Sequence, residues 1–258
     1  MDPVLFQIGP FTVRWYGLMM AATIISSLWA AARWGPRFGV PRAQVDRIVF
    51  WLVVLLFVGA RAGYVLSHPA EFSDPREILR IWHGGLSSHG ALVAGLLYVW
   101  AVARRTGISV WSLADTFAWP IPLGNLFVRF GNFMNGELYG DPTTLPWGIR
   151  FPLVPDGPRH PLQVYEMALA VVILLVAWRV AARRSFPGQV WWLIVVLTSL
   201  GRIALDALRR EDHVLWGLFA YGQIAAAVLL VIGLVFLARG AIRSGSAPRT
   251  PLGADANR

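Results

Sequence analysis

Residues 48–66 read IVFWLVVLLFVGARAGYVL, 19 positions with a single charge, Arg61. A helix of about 20 apolar residues crosses the hydrocarbon core of a bilayer, so this stretch reads as a transmembrane helix. Working outward, six more stretches of that kind occur, at 13–33, 88–104, 112–131, 162–181, 189–208 and 218–238. Composition agrees: of 258 residues, 56% are hydrophobic and 14% charged, against about 25% charged in soluble domains. The expected fold is an all-α, polytopic integral membrane protein with seven transmembrane helices. Residues 1–240 would form one transmembrane domain, and 241–258, rich in small and polar residues, a disordered cytoplasmic tail. The span at 112–131 is interrupted by Pro120, Pro122, Gly124 and Asn125. Such breakers are tolerated where the backbone faces protein or a wet cavity, which makes this span a candidate site wall.

The net charge of +9 is carried entirely by arginine, 23 of them and no lysine. In a membrane chain this balance points to anionic lipid headgroups and to topology, not to nucleic acid. The segments at 33–47, 104–105, 179–184 and the tail hold 4, 2, 3 and 4 arginines, while the alternate segments together hold 7. The positive-inside rule then places the N-terminus outside and the C-terminus in the cytoplasm. The two long segments between spans, 67–87 and 132–161, fall on the outer side and read as folded functional loops. Cysteine is absent, so the chain offers neither a thiolate nucleophile nor a disulfide. The first ten residues lack the basic n-region and small-residue cleavage site of a removable signal peptide.

Three arginines fall within or at the ends of spans: Arg61, Arg129 and Arg202. A charge near a helix centre costs about 2.5–3.5 kcal/mol on translocon scales. Snorkelling to the interface is one explanation; a cationic cavity for a lipid phosphate is the other, and three together favour it. Arg202 and Asp206 stand four apart on one helix face, as a structural ion pair would. The stretch RFGNFMNGELYG (129–140) packs Arg129, Asn132, Asn135 and Glu137 into nine residues after a span, more polar chemistry than a helix end needs. His89, in HGGLSSHGAL (83–92), sits among glycines and serines and suits a general base near neutral pH; His83 reads as a loop residue. Tyr16 fits an interfacial aromatic belt as well as a site. RHPLQVYE (159–166) offers Arg159, His160, Gln163, Tyr165 and Glu166 where a span begins, with helix capping at Pro161 and interface anchoring as the alternative explanations.

These residues resemble the prolipoprotein diacylglyceryl transferase family. Its signature, close to G-R-x-G-N-F-x-N-x-E-x-x-G, is matched by residues 128–140 everywhere but the first glycine, which is Val128 here. RWYGLMM (14–20), GARAGYVL (59–66), HGGLSSHGAL, RHPLQVYE and the late GQ (222–223) follow in family order. The resemblance implies a seven-helix enzyme of the bacterial cytoplasmic membrane, needing no metal or organic cofactor. It would take phosphatidylglycerol and prolipoproteins with a lipobox cysteine, form a thioether-linked diacylglyceryl group, and release glycerol phosphate. It further implies that Arg129 and Arg202 hold the lipid phosphate and that His89 is a base for the thiol. Tyr16, Asn132, Asn135, Glu137 and Gly140 would bind substrate or shape the site, with Arg61 and Asp206 completing it. Two positions depart from the family habit: Asp206 stands where glutamate is common, and Thr198 where tyrosine is.

Other activities are poorly matched. An intramembrane serine protease could use Ser87 or Ser88, but no G-x-S-G motif is present. An anion channel or transporter would use the buried arginines, yet no internal repeat is found. A CDP-alcohol transferase would need an aspartate cluster that the chain lacks.

Overall fold

The first departure from an all-helical chain comes at its start. The computed structural model describes residues 1–9, 11–72, 74–80, 85–152, 154, 156–209, 214–215 and 219–245; His83 and residues 246–258 of the expected tail lie outside them. β1 (Val4–Ile8) pairs antiparallel with β2 (Phe11–Arg14), with Ile8 opposite Phe11 and Gln7 opposite Thr12. These short runs of branched and aromatic residues suit a pleated ribbon, and Gly9 takes the left-handed turn at φ 55. A second hairpin, β3 (Val214–Leu215) with β4 (Phe219–Ala220), precedes the last helix. The rest of the regular structure is helical: α1 (Trp15–Trp34), α2 (Arg42–Ser67), α3 (Ser88–Thr106), α4 (Val110–Thr116), α5 (Pro120–Asn135), α6 (Leu162–Ala182), α7 (Gln189–Asp206) and α8 (Tyr221–Gly245).

Five of these are long and apolar enough to cross a membrane among the described residues: α1, α2, α6, α7 and α8. The other two expected spans fall short for identifiable reasons. α3 is terminated by polar groups, with His89 in its first turn and Arg104 and Arg105 in its last. The stretch at 112–131 is two helices. A residue before proline is pushed out of the helical region, so α4 ends at Thr116 and α5 restarts at Pro120. Pro120 and Pro122 then occupy α5's first turn, where a missing N–H is harmless. At 16 residues α5 is about 24 Å long, shorter than the hydrocarbon core.

Contacts divide the chain into two compact units, Ile25–Trp119 and Met1–Ile24 with Pro120–Arg258. In the first, α2 and α3 meet through glycines. A Cβ on Gly90 would lie 2.2 Å from the Gly59 carbonyl oxygen and 2.8 Å from the Gly63 Cα. Gly59 and Gly63 lie one helical turn apart, the small-residue spacing that lets helix backbones touch in lipid. Ser87 caps α3 by accepting from the Gly90 N–H at 3.3 Å, and Gly107 closes it at φ 72. At the other end of this unit Trp34, 1% exposed, stacks on Phe38 and Trp119, with the Arg33 and Arg37 guanidinium groups over its ring. The second unit is built on α5 against α6, α6 against α7 and α7 against α8. Gly131 admits Tyr16, whose Cα would stand 3.0 Å from a Cβ there, and Trp15 packs edge-on against Phe130 at 5.3 Å.

The α2–α3 crossing yields a prediction. Gly90→Ala forces two backbones apart, at a cost of about 1–3 kcal/mol, and lowers the thermal midpoint in detergent. Gly17→Ala, whose added Cβ meets open space, leaves the midpoint unchanged or slightly raised.

Candidate functional site

The end of α5 carries the densest polar chemistry in the second unit. Arg129 and Asn132 are three apart and share a helix face, and the Arg129 Nη1 donates to Asn132 Oδ1 at 3.3 Å. Gly136 at φ 73 and Leu138 at φ 62 turn the chain back on itself, and the Glu137 N–H closes the turn on the Asn132 carbonyl at 3.1 Å. Glu137 Oε1 thereby accepts from both amides, Asn132 Nδ2 at 2.8 Å and Asn135 Nδ2 at 3.1 Å. Gln163 on α6, fully buried, donates to the Glu137 carbonyl at 2.5 Å. Four signature residues thus form one hydrogen-bonded chain beginning at the arginine.

Glu166 of α6 then joins Arg129 to Arg209. Its Oε2 is 2.5 Å from Arg129 Nε, a charge contact without an aligned N–H, and its Oε1 accepts from Arg209 Nη2 at 3.1 Å. All three side chains are less than one-fifth exposed, where charges attract more strongly than in water. On α7, Arg202 Nε meets Asp206 Oδ2 at 2.6 Å, so the shorter aspartate still reaches its partner across one turn. Gly222 leaves space for this arginine, since a Cβ there would fall 2.8 Å from Arg202 Nη2.

Arg129 and Arg202 line one cavity of about 140 Å³, together with Glu166, Asn125 and Thr198 and an apolar wall that includes Leu169 and Leu205. Asp206 behind Arg202 offsets Arg209 behind Glu166, so the lining keeps a formal charge of +1, suited to a monoanion. The Thr198 hydroxyl is sealed from solvent without a hydrogen-bond partner. Thr23, Thr106 and Thr116 instead bond the carbonyl four residues back, the usual arrangement for helical threonine.

Other expected residues have structural neighbours. Gly140 donates to the His160 carbonyl at 2.8 Å, and a Cβ on it would sit 2.7 Å from the Leu208 carbonyl oxygen. Glycine there lets the 132–161 segment close on the end of α7. Tyr165 receives the Trp147 indole N–H at 2.7 Å, and Arg159 lies over Tyr139, so RHPLQVYE ties that segment to α6 besides starting a helix. His89 and Arg61 belong to the other unit. His89 is exposed in the first turn of α3. Arg61 is 9% exposed and donates to backbone carbonyls of Ile78, Glu77 and Gly85 at 2.9, 2.5 and 2.9 Å, with Phe72 under its guanidinium. Gly85, at φ 76, has no room for a side chain beside Arg61 and Tyr64. Reasoning from sequence passed over Glu166, Gln163 and Arg209. The first two stood in a motif also explicable as a helix start, and Arg209 counted only as a loop charge. No group of three or more His, Asp or Glu side chains that could hold a metal occurs among the described residues.

Two outcomes follow. Glu166→Gln leaves Arg129 and Arg209 facing each other without their shared counter-charge and destabilises the fold by about 3 kcal/mol or more; adding Arg209→Gln recovers part of the loss. Thermal unfolding of the single and double variants measures both. Arg61→Gln releases the carbonyls of Glu77, Ile78 and Gly85 from α2, so limited proteolysis near Glu77 and Ile78 accelerates several-fold while α6 to α8 stay protected.

The sequence profile of prolipoprotein diacylglyceryl transferase matches residues 3–239. The chain is 40% identical to the phosphatidylglycerol–prolipoprotein diacylglyceryl transferase of Nitratidesulfovibrio vulgaris (strain Miyazaki F), over 92% of this chain and 93% of that protein. It is 38% identical to that of Methylococcus capsulatus, over 92% and 94%, and 37% identical to that of Solidesulfovibrio magneticus, over 93% and 95%. With a match along nearly its whole length, the chain belongs to the prolipoprotein diacylglyceryl transferase family.

Proposed function

We propose that this chain transfers the diacylglyceryl group of phosphatidylglycerol to the lipobox cysteine of prolipoproteins, the lipid-attaching step of lipoprotein maturation. The observation that carries the reading is the pair Arg129 and Arg202 on one small, half-buried cavity, within a family whose named members perform this transfer. The cysteine sulfur attacks the glyceryl carbon that bears the phosphate ester. An S–C bond forms, the C–O bond breaks, and glycerol phosphate leaves with the electron pair. The thiol proton passes to a base, for which His89 is the candidate. Charge grows on the departing phosphate from one negative toward two, and two guanidinium groups already fixed by Glu166 and Asp206 stabilise it without reorganising. Tyr16, Asn132, Asn135, Glu137 and Gly140 shape the wall on which the headgroup rests. Arg61 contributes by holding the segment that leads into α3 and His89.

The chain lies in the bacterial cytoplasmic membrane with seven crossings, α3 and the α4–α5 pair being the two that are short or interrupted. The arginine bias supports an orientation with the N-terminus and the reaction on the outer side, where secreted prolipoproteins emerge, and the C-terminus in the cytoplasm.

Purified protein mixed with phosphatidylglycerol and a lipobox peptide is expected to give a diacylglyceryl adduct on cysteine by mass spectrometry. A cysteine-to-serine peptide should give none. Arg129→Ala keeps Glu166 paired with Arg209, so it is expected to fold while transfer falls about 10²–10³-fold; near-normal transfer by the folded variant would overturn the assignment.

A further inference from the structure

A second basic feature lies wholly within the other unit. The last turn of α1 and the first turns of α2 enclose a groove of about 480 Å³, inside the range of about 300–1,000 Å³ typical of small-ligand sites. Arg33 and Arg42 stand at its polar end, and Leu28, Trp29, Val49 and Phe50 line its apolar length. Trp29 and Phe50 are 58% and 61% exposed, which in a membrane chain means facing lipid.

Each arginine marks the point where an apolar run meets the polar segment 33–47, the depth of headgroup phosphates. Arg33 makes no ion pair among the described residues. Among the described residues Arg42 meets only Asp46, at 3.6 Å with both side chains 66% exposed, a pair of the loose kind worth little in water. α2 also has no side-chain cap at Pro41, the residue before its first turn, so its N-terminal N–H groups add partial positive charge at the same end. Two guanidinium groups above an apolar trough match a phospholipid: phosphate at one end, hydrocarbon along the other.

We propose that this groove binds one anionic phospholipid, its phosphate between Arg33 and Arg42 and an acyl chain along Leu28, Trp29, Val49 and Phe50. The site shares no residue with the transfer cavity and takes its lipid as a structural ligand. Anionic lipids are favoured over zwitterionic ones, because the lining carries two cations against one carboxylate.

The test is native mass spectrometry of the full chain released from mixed micelles containing phosphatidylglycerol or phosphatidylcholine. It is run on the wild type and in an Arg129→Ala background, which keeps transfer-site lipid out of the count. The protein is expected to retain a phosphatidylglycerol that phosphatidylcholine does not replace. Arg33→Gln with Arg42→Gln should weaken that retention about fivefold for each guanidinium removed, with transfer at saturating phosphatidylglycerol unchanged. Ala32→Trp fills the groove with its charges intact and should expel the lipid as well. Unaltered retention in either variant, or equal retention of phosphatidylcholine by the wild type, overturns the proposal.

Discussion

The Glu166 carboxylate, shared between Arg129 and Arg209, is the contact on which the second unit depends. A guanidinium out of water is costly unless it is paired, and breaking such a pair costs more than the pair itself contributes. Glu166 settles two of them at once and does so from α6, so the end of α5, the start of α6 and the end of α7 are held by one side chain. The chain Arg129–Asn132–Glu137–Asn135 grows outward from that point, and Gln163 fixes the turn from behind. The result is a paired network beside the cavity that Arg129 and Arg202 line.

Much of this was legible in the sequence, for physical reasons. Apolar runs of bilayer length declare themselves by composition, and α1, α2, α6, α7 and α8 lie where such runs occur. The breakers in 112–131 read as a candidate site wall, and Asn125 and Arg129 of that stretch line the small cavity of the second unit. Their further effect, splitting the stretch at Pro120, follows from the restriction proline places on the residue before it. The hairpin before α1 was not anticipated, because a few β-branched residues beside a long apolar run read as its extension.

What stayed hidden depended on partners distant in sequence. Glu166 and Arg209 are 43 positions apart, and neither periodicity nor charge counting links them. Arg61 illustrates the opposite limit. An arginine inside a span announces that something must satisfy it, and a lipid phosphate was the natural candidate. Its guanidinium is instead taken up by peptide carbonyls of the segment between α2 and α3. The cost of a buried charge is legible in sequence; the identity of the group that meets it is not. Asp206, one methylene shorter than the glutamate common at its position, still contacts Arg202 at 2.6 Å.

The glycine crossing of α2 and α3 bears on how the protein is assembled. Lipid tails are as apolar as leucine, so helices gain nothing by hiding such surfaces from them, and close backbone contact must supply the attraction. Gly59, Gly63 and Gly90 supply it within one helical pair, and Arg61 fastens the connecting segment to the same helix. Every group in that pair lies between Arg42 and Thr106. The hairpin therefore carries its glycine contact and its arginine clasp within itself, and both can form once α3 has entered the bilayer, while the ribosome is still making α5 to α8.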